Sequence, residues 1–247
     1  MKLYHYTSLE SFWKIWVTKE LLFASSNVPS NNDYFERNKS LYFDSNEGYK
    51  YISEVLMNSS KKRTPNPLNL YRQISFTMDY SIDKYGFETL GCLSPMMWGQ
   101  YADRGRGVCI ELDSEALDIK PDVIWAKAID YVENLNSFSV TTENLESIET
   151  MNEAIYKQRD TIFFQKSIHW KAENEFRLVS KDVRKLNIKD AVRKIIVPSI
   201  EGKTTDLVKK LVERQDLFYF LYSNEVNGIK ELNIAPFPVS GKLGSIV

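Results

Sequence analysis

The sequence predicts an α+β fold in a single domain spanning residues 1–247. Two observations lead there. Short β-rich runs recur along the chain, and the helical periodicities are segregated from them instead of alternating strand by strand. A third is size: 247 residues without an internal repeat suit one domain, or one domain with an insertion, and suffice to bury a substantial core.

The elements follow in order. Residues 3–6 form a short strand bounded by Thr7 and Ser8. Ser8 is placed to cap a helix in which Leu9, Phe12, Trp13, Trp16 and Val17 recur at helical spacing. Residues 21–24 read as a second strand, and residues 25–32 as a polar loop containing Pro29. Residues 33–38 begin a further helical stretch, and residues 48–57 carry Tyr51, Ile52, Val55 and Leu56 on one side of a helix. Pro65 and Pro67 break residues 58–69 into an exposed loop. Strands are expected at 71–78 and 89–93, then a short helix over 95–101 with Pro95 in its first turn. Residues 103–107 are a turn, 108–112 a strand, and 123–131 one more strand. Residues 143–166 read as largely helical. Strands at 176–179 and 194–197, a helix at 206–213 and strands at 217–222 and 231–234 complete the chain.

Composition removes several function classes. The 32 basic and 33 acidic residues leave a net charge of −1, so no global field favours nucleic acid or membrane, although a local basic groove stays open. Two cysteines, Cys92 and Cys109, make no disulfide framework and suit a reducing cytosol. The N-terminus has no apolar leader region, and no run reaches the length of a membrane span. The expectation is a soluble, cytoplasmic protein. Two histidines and two cysteines give no metal-site spacing, and the glycine-rich phosphate loops and nucleophile-elbow motifs are absent from the sequence.

The residues that can carry chemistry are few. His5 sits on a strand that leads directly into a capped helix, where an imidazole can hydrogen-bond a sugar hydroxyl while neighbouring backbone groups hold an amide; a structural histidine is the plain alternative. Glu173 and Glu175, two apart at the start of a strand, point to one face, and like charges so close raise the pKa of one of them. The alternative is a solvated strand edge paired with Lys171 or Arg177. Trp98 and Tyr101 share a helical face and serve either as core or as stacking rings. Tyr101 can offer its ring to a planar cation, an attraction of about 0.5–2 kcal/mol. Asn32, Asp33 and Tyr34 lie in a loop whose residue types suit either turn formation or substrate recognition. Arg72, Arg104, Arg106 and Arg177, with nearby aromatics, can track phosphates and stack bases.

Two resemblances attach to these residues. Over most of its length the chain resembles a bacterial family of unknown function. That family has a Leu-Tyr-His/Arg-Tyr opening, a loop like Asn32-Asp33-x-Phe35-Glu36, and a centre like Trp98-x-x-Tyr101-Ala102-Asp103 leading into Gly107-Val108-Cys109-Ile110. Its last block resembles Phe164-x-Lys166-x-x-x-Trp170-x-x-Glu173-x-Glu175-x-Arg177. Tyr34 replaces that family's usual proline. More distantly, Tyr4-His5-Tyr6-Thr7 with a distal Glu-x-Glu resembles ADP-ribosyltransferases of the His-Tyr-Glu type, with Tyr6 in place of their glycine.

The second resemblance implies a split, mostly antiparallel sheet core of ADP-ribosyltransferase type with helical insertions, and NAD as co-substrate. It implies that His5 orients the adenosine ribose, Tyr6 holds the nicotinamide amide through its backbone beside Thr7, and Tyr101 or Tyr34 stacks on the nicotinamide. Glu175 would stabilise the oxocarbenium-like transition state and Glu173 would activate the acceptor. The implied setting is a toxin of a toxin–antitoxin or phage-defence system, acting on RNA, DNA or protein and opposed by an antitoxin. A non-catalytic nucleotide- or partner-binding module on the same fold, or an NAD glycohydrolase, is the alternative.

Overall fold

A computed structural model describes residues 1–25, 42–43, 67–82, 87–136, 138–141, 143–145, 147–198, 216–226 and 229–236. Its centre is a nine-stranded sheet. From one edge the strands run Ile229–Pro236, Phe218–Val226, Val192–Pro198, Val108–Asp113, Lys2–Thr7, Arg72–Thr77, Glu175–Ser180 and Trp125–Ala128, with Ala24–Ser25 beside Arg72–Thr77. Every pairing is antiparallel except that between Val192–Pro198 and Phe218–Val226. The fold is therefore a mixed one, with a mostly antiparallel sheet and few helices.

Directly opposed residues of an antiparallel pair share a face. Leu3, Ile110, Ile195, Phe76 and Leu178 fall on one face and build the largest apolar cluster with Phe12, from the Leu9–Thr18 helix. Ser8 caps that helix, its hydroxyl accepting from the Ser11 amide at 3.2 Å. Leu9 and Val17 stay exposed, so the buried stripe of this helix is narrower than its apolar spacing suggests.

The other face carries two apolar clusters. The Pro95–Tyr101 helix packs Met97 and Trp98 over Tyr4, Tyr6 and Cys109. The helices Ile148–Lys157 and Arg159–Phe163 pack Ile155, Ile162 and Phe163 against Tyr71 and Val179. Between these two clusters lies a patch of buried charge.

Several boundaries depart from expectation. The 143–166 stretch does not stay helical to its end: the chain leaves the helix at Phe164, and Gln165–Ser167 is a strand, which places Lys166 on extended backbone. Residues 91–93 form a 3-10 turn, and the expected 123–131 strand is two, Trp125–Ala128 and Asp130–Val132. The expected helices at 33–38, 48–57 and 206–213 lie outside the described residues, as do Asn32, Asp33 and Tyr34. Among the described residues, no helix is long and apolar enough to cross a membrane.

Candidate functional site

The sheet has a gap at its centre. The Lys2–Thr7 strand pairs along its whole length with Val108–Asp113, but with Arg72–Thr77 it shares a single register pair, Tyr4 with Thr77. At the far end of Arg72–Thr77 on that side, Gln73 and Arg72 pair with Ala24 and Ser25. Between those pairs, residues 74–76 have no strand partner on that side among the described residues. A cavity of about 230 Å³ occupies this gap, walled by the 4–6 and 73–77 backbones and by Tyr101, Lys166, Glu173 and Glu175.

His5 bridges the gap. Its Nδ1 lies 3.3 Å from the Ser75 carbonyl oxygen. A carbonyl only accepts, so the proton is on Nδ1 and the lone pair of a neutral ring is on Nε2. Part of the side chain remains accessible, but the ring lies edge-on to Phe76 at 5.9 Å, and burial lowers its pKa below the ordinary 6.5. In a strand, the N–H and C=O of one residue point to the same neighbour, so Ser75 presents its N–H to the gap as well.

The opposite wall is a balanced set of buried charges. Contrary to the expectation that both glutamates start the strand, Glu173 ends a 3-10 turn, Ile168–Glu173, and the strand begins at Glu175. Asn174, in the left-handed region at φ 44°, turns the chain so that Glu173 and Glu175 still converge. Its amide nitrogen donates to the Asp79 carbonyl at 2.9 Å and fixes that turn. Lys166 donates to Glu173 at 2.5 Å and lies 3.4 Å from Glu175. Arg177 clasps Glu175 with two bonds, from Nε at 2.7 Å and from Nη2 at 2.9 Å, and donates a third to the Phe163 carbonyl. Tyr101 donates its hydroxyl to Glu173 at 2.5 Å, and the Glu175 amide donates to the Tyr131 hydroxyl at 2.8 Å.

Burial raises the Glu173 pKa; the Lys166 charge and the Tyr101 hydroxyl oppose this without cancelling it. Among the described residues, two cations and two carboxylates balance on this wall, which is how charges persist in an interior.

Some of the residues singled out in the sequence meet here, and others do not. His5, Tyr6, Tyr101, Glu173 and Glu175 share the cavity wall. Trp98 does not: its ring packs edge-on to Tyr6 at 5.3 Å and its Nε1 donates to the Cys92 carbonyl, so the core takes the face a ligand would stack on. Thr7 is buried outside the wall, its carbonyl pressed against Gly107. Arg177 is wholly buried and spends its donors on Glu175 and Phe163, so it cannot track a phosphate. Arg106 pairs with Asp103 at 3.1 Å, and Arg104 is exposed on the turn beyond the helix, outside the cavity wall. Lys166, Ser75 and Thr77 were not singled out as site residues. For Lys166 the available signal is its place near the start of the block that also holds the Glu-x-Glu pair.

Residues 97–178 match the family model described as a protein of unknown function, DUF2971. The matched span is about a third of the chain. It contains Tyr101, Lys166, Glu173, Glu175 and Arg177, and leaves out His5 and the 73–77 wall. The family description carries no activity. No curated protein and no solved structure matches the chain.

Proposed function

We infer that the cavity binds NAD and that the protein transfers ADP-ribose from it to a macromolecular acceptor. The observation that supports this reading is convergence. His5, Tyr101, Glu173 and Glu175, scattered from the first strand to the last third of the chain, wall one cavity in a gap of the sheet. The cavity is smaller than the roughly 300–1,000 Å³ of sites that enclose a whole drug-sized ligand. It therefore suits one ring and its sugar, with the remainder of the dinucleotide outside.

In this reading the Nε2 lone pair of His5 accepts from a ribose hydroxyl, and the Ser75 and Tyr6 backbones face the carboxamide. Tyr101, tied to Glu173, presents a ring of fixed orientation. The glycosidic bond breaks with its electron pair leaving on neutral nicotinamide, and positive charge builds on the ribose. The preorganised carboxylates of Glu173 and Glu175 favour that charge in a site screened from water. The acceptor nucleophile attacks the ribose carbon and loses its proton. Exposed Arg104 offers an acceptor one point of contact. A toxin or phage-defence effector acting in the cytoplasm, restrained by an antitoxin, is the setting the sequence resemblance implies.

One observation favours a second reading, a nucleotide-binding module without turnover: both oxygens of Glu175 are already engaged by Arg177 and Lys166. Nicotinamide release from NAD, measured for the wild type and Glu175→Gln with and without RNA, DNA and cell lysate, separates the two. The transfer reading expects release that needs one added fraction and is lost in Glu175→Gln. Release without any acceptor points to a glycohydrolase. NAD-dependent thermal stabilisation without release points to the binding module and overturns transfer.

A further inference from the structure

We propose that Thr77 is a ligand-contacting residue whose hydroxyl is left without a partner in the free protein and is satisfied by a neutral polar group of a bound nucleoside. The proposal rests on reading the central cavity as a nucleotide site.

Thr77 occupies the point where the gap closes. It is the residue paired with Tyr4 across the gap and also the one paired with Glu175 on its other side, so the three side chains share one face of the sheet. The residue lines the cavity and is 1% exposed, and its Oγ1 finds no hydrogen-bond partner among the described residues. A buried hydroxyl without a partner is uncommon in a native protein and costs about 1–3 kcal/mol. Valine has nearly the same shape and the higher strand preference without that cost, so a threonine here loses stability with no compensating bond in the free protein. The hydroxyl lies beneath the cavity surface. Rotation about the Cα–Cβ bond, which carries the hydroxyl to another of the three staggered positions, is the movement that presents it.

The surroundings select the ligand group. Lys166 and Arg177 are matched by Glu173 and Glu175, so among the described residues this wall offers no unbalanced positive charge for a phosphate. A threonine hydroxyl both donates and accepts. A ribose hydroxyl or a carboxamide fits this; both are neutral and hydrogen-bonding, and both occur on nucleosides.

The test compares wild type, Thr77→Val and Thr77→Ser by thermal stabilisation with NAD, nicotinamide and adenosine, and by urea unfolding without ligand. Thr77→Val is expected to bind NAD about tenfold more weakly, the equivalent of about 1.4 kcal/mol, while Thr77→Ser binds as wild type. A loss repeated with nicotinamide assigns the bond to the carboxamide; a loss repeated with adenosine assigns it to a sugar hydroxyl. Without ligand, Thr77→Val is expected to be at least as stable as wild type. A lower unfolding midpoint for Thr77→Val would show that the hydroxyl has a partner in the free protein and would overturn the proposal, as would equal affinity of wild type and Thr77→Val for every probe. If adenosine but not NAD stabilises the wild type, and Thr77→Val loses that effect, the assignment of Thr77 stands and the transfer reading falls. A wild type stabilised by none of the three probes overturns both.

Discussion

At the scale of single residues, His5 carries a pH signature with a defined sign. Burial lowers its pKa from the ordinary 6.5, so the folded protein resists protonation of the ring while the unfolded chain accepts it. The unfolded state then binds more protons in the window below 6.5. Its contribution to stability is full above that value and is lost as pH falls through the lowered folded value. Glu173 acts in the opposite sense, because burial raises its pKa and stabilisation from it is lost as pH rises through the raised value. The clean readout is therefore a difference between proteins. Wild type should lose more of its urea midpoint than His5→Asn between about pH 7.5 and about pH 5.5; parallel losses would mean that the imidazole is not desolvated. The sequence pointed to His5, Tyr101 and the glutamate pair because their residue types are scarce or suggestive. It did not point to Thr77 and Ser75, which look like ordinary strand residues until the gap is seen. Arg177 was misjudged for a related reason: a strand buried on both faces does not show in alternation that one of its charges is enclosed.

At the scale of elements, the connection from the Pro95–Tyr101 helix to the Val108–Asp113 strand sets where Tyr101 stands. Asp103, Arg104 and Gly105 take left-handed conformations in succession, and Gly107 then donates to the Ala102 carbonyl at 2.7 Å. Left-handed conformations cost non-glycine residues about 1–2 kcal/mol each, so the turn persists only because its surroundings fix it. Gly107 shows how: a Cβ there would lie 2.2 Å from the Thr7 carbonyl oxygen, a contact with backbone that no rotamer relieves. Gly107→Ala should destabilise the protein by at least about 1–3 kcal/mol. Gly99→Ala, in the preceding helix with open space around the new Cβ, should stabilise it by about 0.5–1 kcal/mol. Similar unfolding midpoints for the two variants would show that the turn yields to the methyl group. This helix, with Pro95 in its first turn, and the turn after it were legible because such residues act locally; the Ser94 cap emerges only in the structure. The strand at Gln165–Ser167 was not: apolar spacing carries on toward it without a breaker, and its partner, Asp130–Val132, is distant in sequence.

At the scale of the whole molecule, the α+β class and the predominance of antiparallel pairing follow from segregated helices and short strands. The order of the strands does not, because it is decided by pairings between segments far apart, such as Lys2–Thr7 with Val108–Asp113. That order puts the charged wall at the seam between two apolar clusters on one face. Tyr101 reaches it from the cluster around Trp98, and Arg177 ties it through the Phe163 carbonyl to the cluster around Ile155. Arg177 is thus a structural fastener as well as the partner of Glu175. Replacing it by methionine removes both clasping bonds from buried Glu175, and breaking a buried pair from one side costs about 3–5 kcal/mol. Removing the carboxylate as well should restore part of that loss, so Glu175→Gln with Arg177→Met should cost less than the sum of the single variants by more than the ~0.5 kcal/mol tolerance of independent sites. Urea unfolding of the four proteins measures this coupling. Additive losses would mean that the clasp does not hold the seam, and a loss of activity in Glu175→Gln could then be read as chemistry alone. A strong coupling means that the activity of that variant has to be compared at matched folded fraction, with Tyr101→Phe beside it as a change that leaves the Glu175–Arg177 clasp in place.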